Sequence, residues 1–207
     1  MIPISLVISA KAANLAKQIR KASTQEMVSV PDTSQAVDTT QVKLVKPEPF
    51  NADAFKYGIL FPENGGKRNY QAMNPQSTAT GAYQILYSQA ENWLPSHGYG
   101  NIKTRKDFAN SPKAQEAYMD ARVDTYVNKH AADLTKEYKP QLGDKWEYST
   151  ADVAALVHFL GRQGTRFYFG ALRDGKDPIS VLPSHVANLP PDEYLRRFRE
   201  GYNSYGK

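Results

Sequence analysis

The 207-residue chain contains no cysteine. Disulfides and zinc–thiolate sites are therefore excluded, and the compartment stays open. No apolar run is long enough to span a bilayer: the longest strongly apolar stretch covers only residues 2–10. Basic residues are spread thinly. Lys and Arg number 26 against 21 Asp and Glu, a net charge of +5, and no run is dense enough to read a DNA sequence. Such an excess favours an anionic partner, a bacterial wall or a nucleic acid, without choosing between them. His97, His130 and His185 show no ligand spacing, so neither a metal nor another cofactor is expected. Strand signals are scarce and internal repeats are absent.

What remains is room for one ordinary domain plus an appendage. Residues 2–12 imitate a signal peptide, with Ala10-Lys11-Ala12 as its cleavage site, but they lack the basic residues that precede such a core. Residues 1–23 read better as an amphipathic helix, in which Leu6, Ala10 and Ala13 share one face and Leu15, Ile19 and Ala22 another. Its apolar face is weak and lacks Trp and Phe, which favours docking on a partner protein over lying on a membrane. Residues 24–50 have linker composition, rich in Ser, Thr, Gln, Asp, Val and Pro, with residues 41–45 suited to an edge strand.

Residues 51–207 read as one mainly helical domain. Asn51 is placed to cap a helix from Ala52. A second helix is expected from Tyr83 or Gln84 to Trp93 or Leu94, stopped by Pro95. Pro112 opens a long helix whose Ala114, Ala117, Tyr118 and Ala121 keep helical spacing. Ser149 and Asp152 form a capping box for the run Val153 to Leu160, closed by Gly161. Thr165 is expected to cap a short helix to Arg173, and Pro191 to open the last one.

Glu63 follows the apolar Tyr57, Ile59, Leu60 and Phe61 and opens Glu63-Asn64-Gly65-Gly66. A carboxyl delivered from apolar sequence into a glycine turn is disfavoured as an anion, and a helix C-terminus pushes its pKa the same way. It is a candidate general acid. The alternative is an acidic helix-end residue before a glycine cap. Pro62 removes a backbone donor and disfavours helix at Phe61, so the helix is expected to end early and present Glu63 from a turn.

Three glycine-bounded segments stand in order: Glu63-Asn64-Gly65-Gly66, Ser77-Thr78-Ala79-Thr80-Gly81-Ala82-Tyr83-Gln84-Ile85-Leu86, and Ala155-Leu156-Val157-His158-Phe159-Leu160-Gly161. Together they resemble the lysozyme-like soluble lytic transglycosylases, most closely the peptidoglycan-degrading domains carried in bacteriophage virions. That family has Glu-Ser-Gly-Gly at a helix end, a Gly-Leu-Met-Gln-Ile-like turn, and an Ala-Tyr-Asn-Ala-Gly-like helix end. The resemblance covers about residues 52–175. Asn64 replaces the family's Ser, and Phe159 stands where it often has Asn.

The resemblance implies a lysozyme-like fold and cleavage of the MurNAc–GlcNAc bond of peptidoglycan glycan strands. Glu63 would be the single acid and base, forming 1,6-anhydro ends. It implies that Gln84 bonds the sugar, that Tyr83 and Leu86 shape subsites, and that Ser77 or Thr78 contacts the substrate or the carboxylate. His158 would take the place of the family's tyrosine beside the acid. Core packing is the competing reading for Tyr83, Leu86 and His158, and an exposed first-turn residue for Gln84. The location implied is the phage particle, with residues 1–50 anchored on a virion protein and the enzyme acting on the cell wall. Two alternatives stay open: a structural or adaptor virion protein with little activity, and a hydrolytic lysozyme.

Overall fold

The computed structural model describes residues 50–207 except 184, 185 and 187. The N-terminal helix, the linker and the edge strand expected before residue 50 lie outside the described residues. The described residues belong to one compact unit and are mainly helical. Among them no helix is long and apolar enough to cross a membrane.

The first helix, α1 (Ala52–Asn64), begins where Asn51 accepts the Ala54 N–H on its side chain at 2.9 Å. It buries Phe55, Ile59 and Leu60 completely. Pro62 does not end it. The helix continues to Asn64 and closes at Gly65 (φ 59°), whose N–H turns back to the Leu60 and Phe61 carbonyls. The expected early stop is thereby corrected. Proline forfeits only its own amide's bond to the carbonyl four residues earlier, and the paired carbonyls at the glycine cap hold the last turn closed.

A two-stranded antiparallel hairpin follows, β1 (Ala79–Thr80) and β2 (Ile85–Leu86), with Ala79 opposite Leu86 and Thr80 opposite Ile85. Here the sequence reading is corrected. Tyr83 and Gln84 occupy the hairpin turn, and only a short helix, α2 (Tyr87–Ala90), comes after it. Gln84 adopts φ 48°, a left-handed backbone incompatible with opening a helix. A segment with a 3-10 helix (Pro95–His97) then leads to α3 (Arg105–Ala109), capped reciprocally by Thr104 and Asp107.

The long helix α4 (Pro112–Thr125) passes through a π-helical turn (Tyr126–Ala131) into α5 (Ala132–Leu142). Ser149 and Asp152 form the expected capping box of α6 (Thr150–Arg173), which breaks at Gly161 (φ 71°, ψ 167°) and resumes directly. Thr165 therefore lies inside the second half rather than capping it, and its hydroxyl donates to the Gly161 carbonyl at 2.8 Å. The last helix is α7 (Pro191–Ser204).

The packing of α1 on α7 positions the site. A Cβ on Gly58 would lie 2.7 Å from the Phe198 ring, and one on Gly201 would lie 2.4 Å from the Phe61 ring. Each helix thus seats an aromatic of the other over a glycine, and Phe198 is 1% exposed. This close approach sets Tyr194, one turn before Phe198, against the C-terminal end of α1.

Candidate active site

Glu63 occupies the last turn of α1, and its side chain is 17% exposed. Tyr194 donates its hydroxyl to Glu63 Oε1 at 3.0 Å. Burial raises the carboxyl from 4.5 to about 7, and the Tyr194 bond opposes that rise without offsetting it. Glu63 is thus substantially protonated near neutral pH. That is the property a general acid needs.

His158 Nε2 lies 3.8 Å from the same Oε1, beyond hydrogen-bond range, and 3.0 Å from the Tyr83 carbonyl, to which it donates. Burial first, and then the charge of Arg122, lower the imidazole to about 4, while the bond to the Tyr83 carbonyl acts the other way. The ring is therefore neutral at pH 7, with its proton on Nε2. Carboxyl and imidazole meet as neutral groups rather than as an ion pair. The Phe159 ring stacks on Tyr194 at 4.2 Å between centroids and 9° between planes, which fixes the direction of the phenol.

The hairpin turn is tied to α1 by Asn64, whose side-chain amide donates to the carbonyls of Gly81 (3.1 Å) and Ala82 (2.5 Å). The Gly81 carbonyl also receives the Gln84 side-chain amide at 2.9 Å. Beneath the turn sits Gln115, fully buried. Its Oε1 accepts the Ala82 N–H at 3.2 Å, and its Nε2 donates to the carbonyls of Tyr70 (3.0 Å) and Phe108 (2.9 Å). Gly81 has φ 80°, and a Cβ there would fall 1.7 Å from Gln115 Oε1. No other residue fits.

A cleft of about 420 Å³ is lined by Gln84, Leu86, Tyr126, His158 and Phe159 among others; Glu63 does not line it and lies behind His158, 3.8 Å away. Leu86 is 39% exposed in it. The Gln84 Oε1 has no protein partner among the described residues. The structure thus brings Glu63, Gln84, Leu86 and His158 to one region. It treats the other expected contacts differently. The Tyr83 ring is buried, and its hydroxyl donates to Glu116 at 2.8 Å, so only its carbonyl serves the site. Ser77 accepts the Ala79 N–H at 3.1 Å, and Thr78 pairs with Ser88 at 3.2 Å. The hydroxyl on the Glu63 carboxyl comes from Tyr194 instead.

The other carboxylates with framed surroundings are engaged elsewhere. Glu116 accepts the Tyr70 and Tyr83 hydroxyls, Asp152 pairs with Arg199 at 2.8 Å, and Asp107 caps α3. Among the described residues, no group of three or more His, Cys, Asp or Glu is arranged to hold a metal ion.

Tyr194, Phe159 as its support, and Gln115 are the residues that sequence reasoning missed. Tyr194 lies 131 positions from Glu63, and no local pattern links the two. Gln115 carried one usable signal, a polar residue on the buried stripe of α4. No family model, curated protein or solved structure matches the chain.

Proposed function

We propose that the domain is a lysozyme-like peptidoglycan lytic transglycosylase with Glu63 as its single acid and base. The observation that carries this reading is the buried Glu63 carboxyl, raised to about 7 and lying 3.8 Å from His158, which lines a cleft. In the proposed reaction Glu63 gives its proton to the glycosidic oxygen between MurNAc and GlcNAc as positive charge builds at the anomeric carbon. The neighbouring N-acetyl group assists from the substrate side. The resulting carboxylate then takes the proton of the sugar's 6-hydroxyl, whose oxygen closes the 1,6-anhydro ring.

Tyr194 supports this cycle by hydrogen-bonding the carboxylate form that exists between the two proton transfers. Neutral His158 places no cation against the acid, so the proton stays on Glu63 until substrate is bound. Gln84 has a free acceptor for a sugar hydroxyl or acetamido N–H, and Leu86 offers an apolar wall. The proposed setting is a phage particle, with residues 1–50 held by a virion protein and the domain opening the bacterial wall.

Digestion of purified peptidoglycan tests the reading by mass analysis of the fragments. Anhydro ends, lighter than hydrolytic ones by about 18 mass units or one water, are expected, and Glu63→Gln should release none. Fragments of hydrolytic mass would make the enzyme a lysozyme. Intact glycan with the unaltered chain would leave a structural particle protein.

A further inference from the structure

The cleft lined by His158 and Gln84 has a charge pattern that general acid chemistry does not call for. Arg122, near the end of α4, and Arg162, just after the Gly161 break in α6, both line it, and no Asp or Glu does. The Arg122 guanidinium is propped between two phenol rings, 5.0 Å from the Tyr126 centroid and 5.9 Å from that of Tyr118. Its Nε donates to the Tyr126 hydroxyl at 3.4 Å. Among the described residues it meets no carboxylate at ion-pair distance, whereas Arg162 meets Asp133 at 3.2 Å with both side chains about half exposed. An exposed pair of that kind opens at little cost. Arg122 is a half-buried cation stacked on aromatics, with terminal N–H donors left over.

The histidines of the cleft add dipoles rather than charge. Burial, then Arg162, Arg122 and Lys129, hold His130 below its ordinary value, while Asp133 acts against them. The His158 side chain is 6% exposed and neutral. Both rings carry a buried Nδ1 that has no hydrogen-bond partner among the described residues.

We propose that the cleft binds a carboxylate carried by the muramic acid side of the substrate, with Arg122 as the principal donor and Arg162 as the second. The inference rests on the glycan-cleaving reading, because the sugar backbone of peptidoglycan is otherwise uncharged. Its carboxylates sit on the lactyl ether of muramic acid or on the peptide that the ether bears. A planar guanidinium with free N–H groups suits a carboxylate.

The test uses the full chain carrying Glu63→Gln, so that ligand is not consumed. Three tetrasaccharides are titrated by calorimetry: a GlcNAc tetramer without carboxylate, a muramic-acid-containing tetramer with free lactyl carboxylates, and its peptide-bearing counterpart. At least one carboxylated ligand should bind about tenfold to a hundredfold tighter than the GlcNAc tetramer, the range for a charged hydrogen bond. Which of the two does so identifies the lactyl or the peptide carboxylate. Arg122→Gln should abolish the preference while leaving GlcNAc-tetramer affinity unchanged, and Arg122→Lys should restore part of it.

Equal affinity for all three ligands, or an Arg122→Gln variant that weakens all three alike, would overturn the site. Carboxylate preference in a chain whose unaltered form cuts no glycan would remove the enzyme reading and keep the site. Cleavage without preference would do the reverse, and neither binding nor cleavage would remove both.

Discussion

Glu63 accepts one tyrosine hydroxyl, from Tyr194, and Glu116 accepts two, from Tyr70 and Tyr83. Burial pushes both carboxyls up. At Glu116 the two hydroxyls and the charges of Lys56, 3.5 Å away, and Arg68 outweigh it, and the carboxyl lies below its ordinary value. At Glu63 a single hydroxyl meets the full cost of burial, and the value reaches about 7. Two glutamates with phenols for neighbours thus end on opposite sides of the ordinary range. The difference lies in the cations and in one hydrogen bond, which separates a carboxyl that holds its proton near neutral pH from one that stays an anion. Tyr83 stands between them, its hydroxyl on Glu116 and its carbonyl on His158.

The largest expected break in this contrast is Glu63→Gln. It should lower glycan cleavage by a factor of about 10² to 10⁴, the range for a lost acid–base group, read from released fragments. The same variant tests the burial argument without substrate. A carboxyl raised from 4.5 to about 7 in the fold gives its full stability below the unfolded value and loses it as pH rises through that window. The gap amounts to about 3 kcal/mol. Glu63→Gln should therefore be more stable than the parent at pH 8 and equal to it at pH 4, by urea unfolding at each pH.

Gly81→Ala strikes the turn that both glutamate neighbourhoods share. A methyl group 1.7 Å from Gln115 Oε1 at positive φ should cost about 3 kcal/mol, seen as a lower urea midpoint. Glu116→Gln should cost about 1 kcal/mol at pH 7. Because the Glu116 carboxyl is depressed, its contribution is present above the unfolded value and disappears as pH falls through the folded one. The variant and parent should therefore converge in acid, as for Glu63→Gln, but above that range Glu116→Gln is the less stable of its pair where Glu63→Gln is the more stable. The smallest effect belongs to Tyr194→Phe. The hydroxyl holds Glu63 down, so its loss should move the alkaline limb of the activity profile upward in pH, measured as initial rate against pH.

Much of the helical frame was legible because caps are local. Asn51, the Ser149–Asp152 box, Pro112 and Pro191 each open a helix where their chemistry directs. Glu63 stood out for the same reason, as an acid leaving apolar sequence into glycines. The hairpin turn was not legible. Its left-handed Gln84 is held by the side chains of Asn64 and Gln84 itself on one carbonyl, with Gln115 below, and two of those three lie at least 20 residues from Gln84. Pro62 misled because the proline rule concerns an isolated helix, whereas this end is fastened by a glycine cap and by Asn64. Tyr194 and Arg122 reach the site only through tertiary packing, which no sequence window contains.

The Asn64 side chain joins the end of α1 to the hairpin turn through two backbone carbonyls. Neither segment can loosen without tearing those bonds, so their amides should share one opening event in hydrogen exchange. Gly65, Gly66 and Gly81, whose N–H groups bond to Phe61, Leu60 and Ala72, should exchange at a common rate. Replacing Asn64 with Ala should split that rate into two and let the turn breathe while the helix end stays closed.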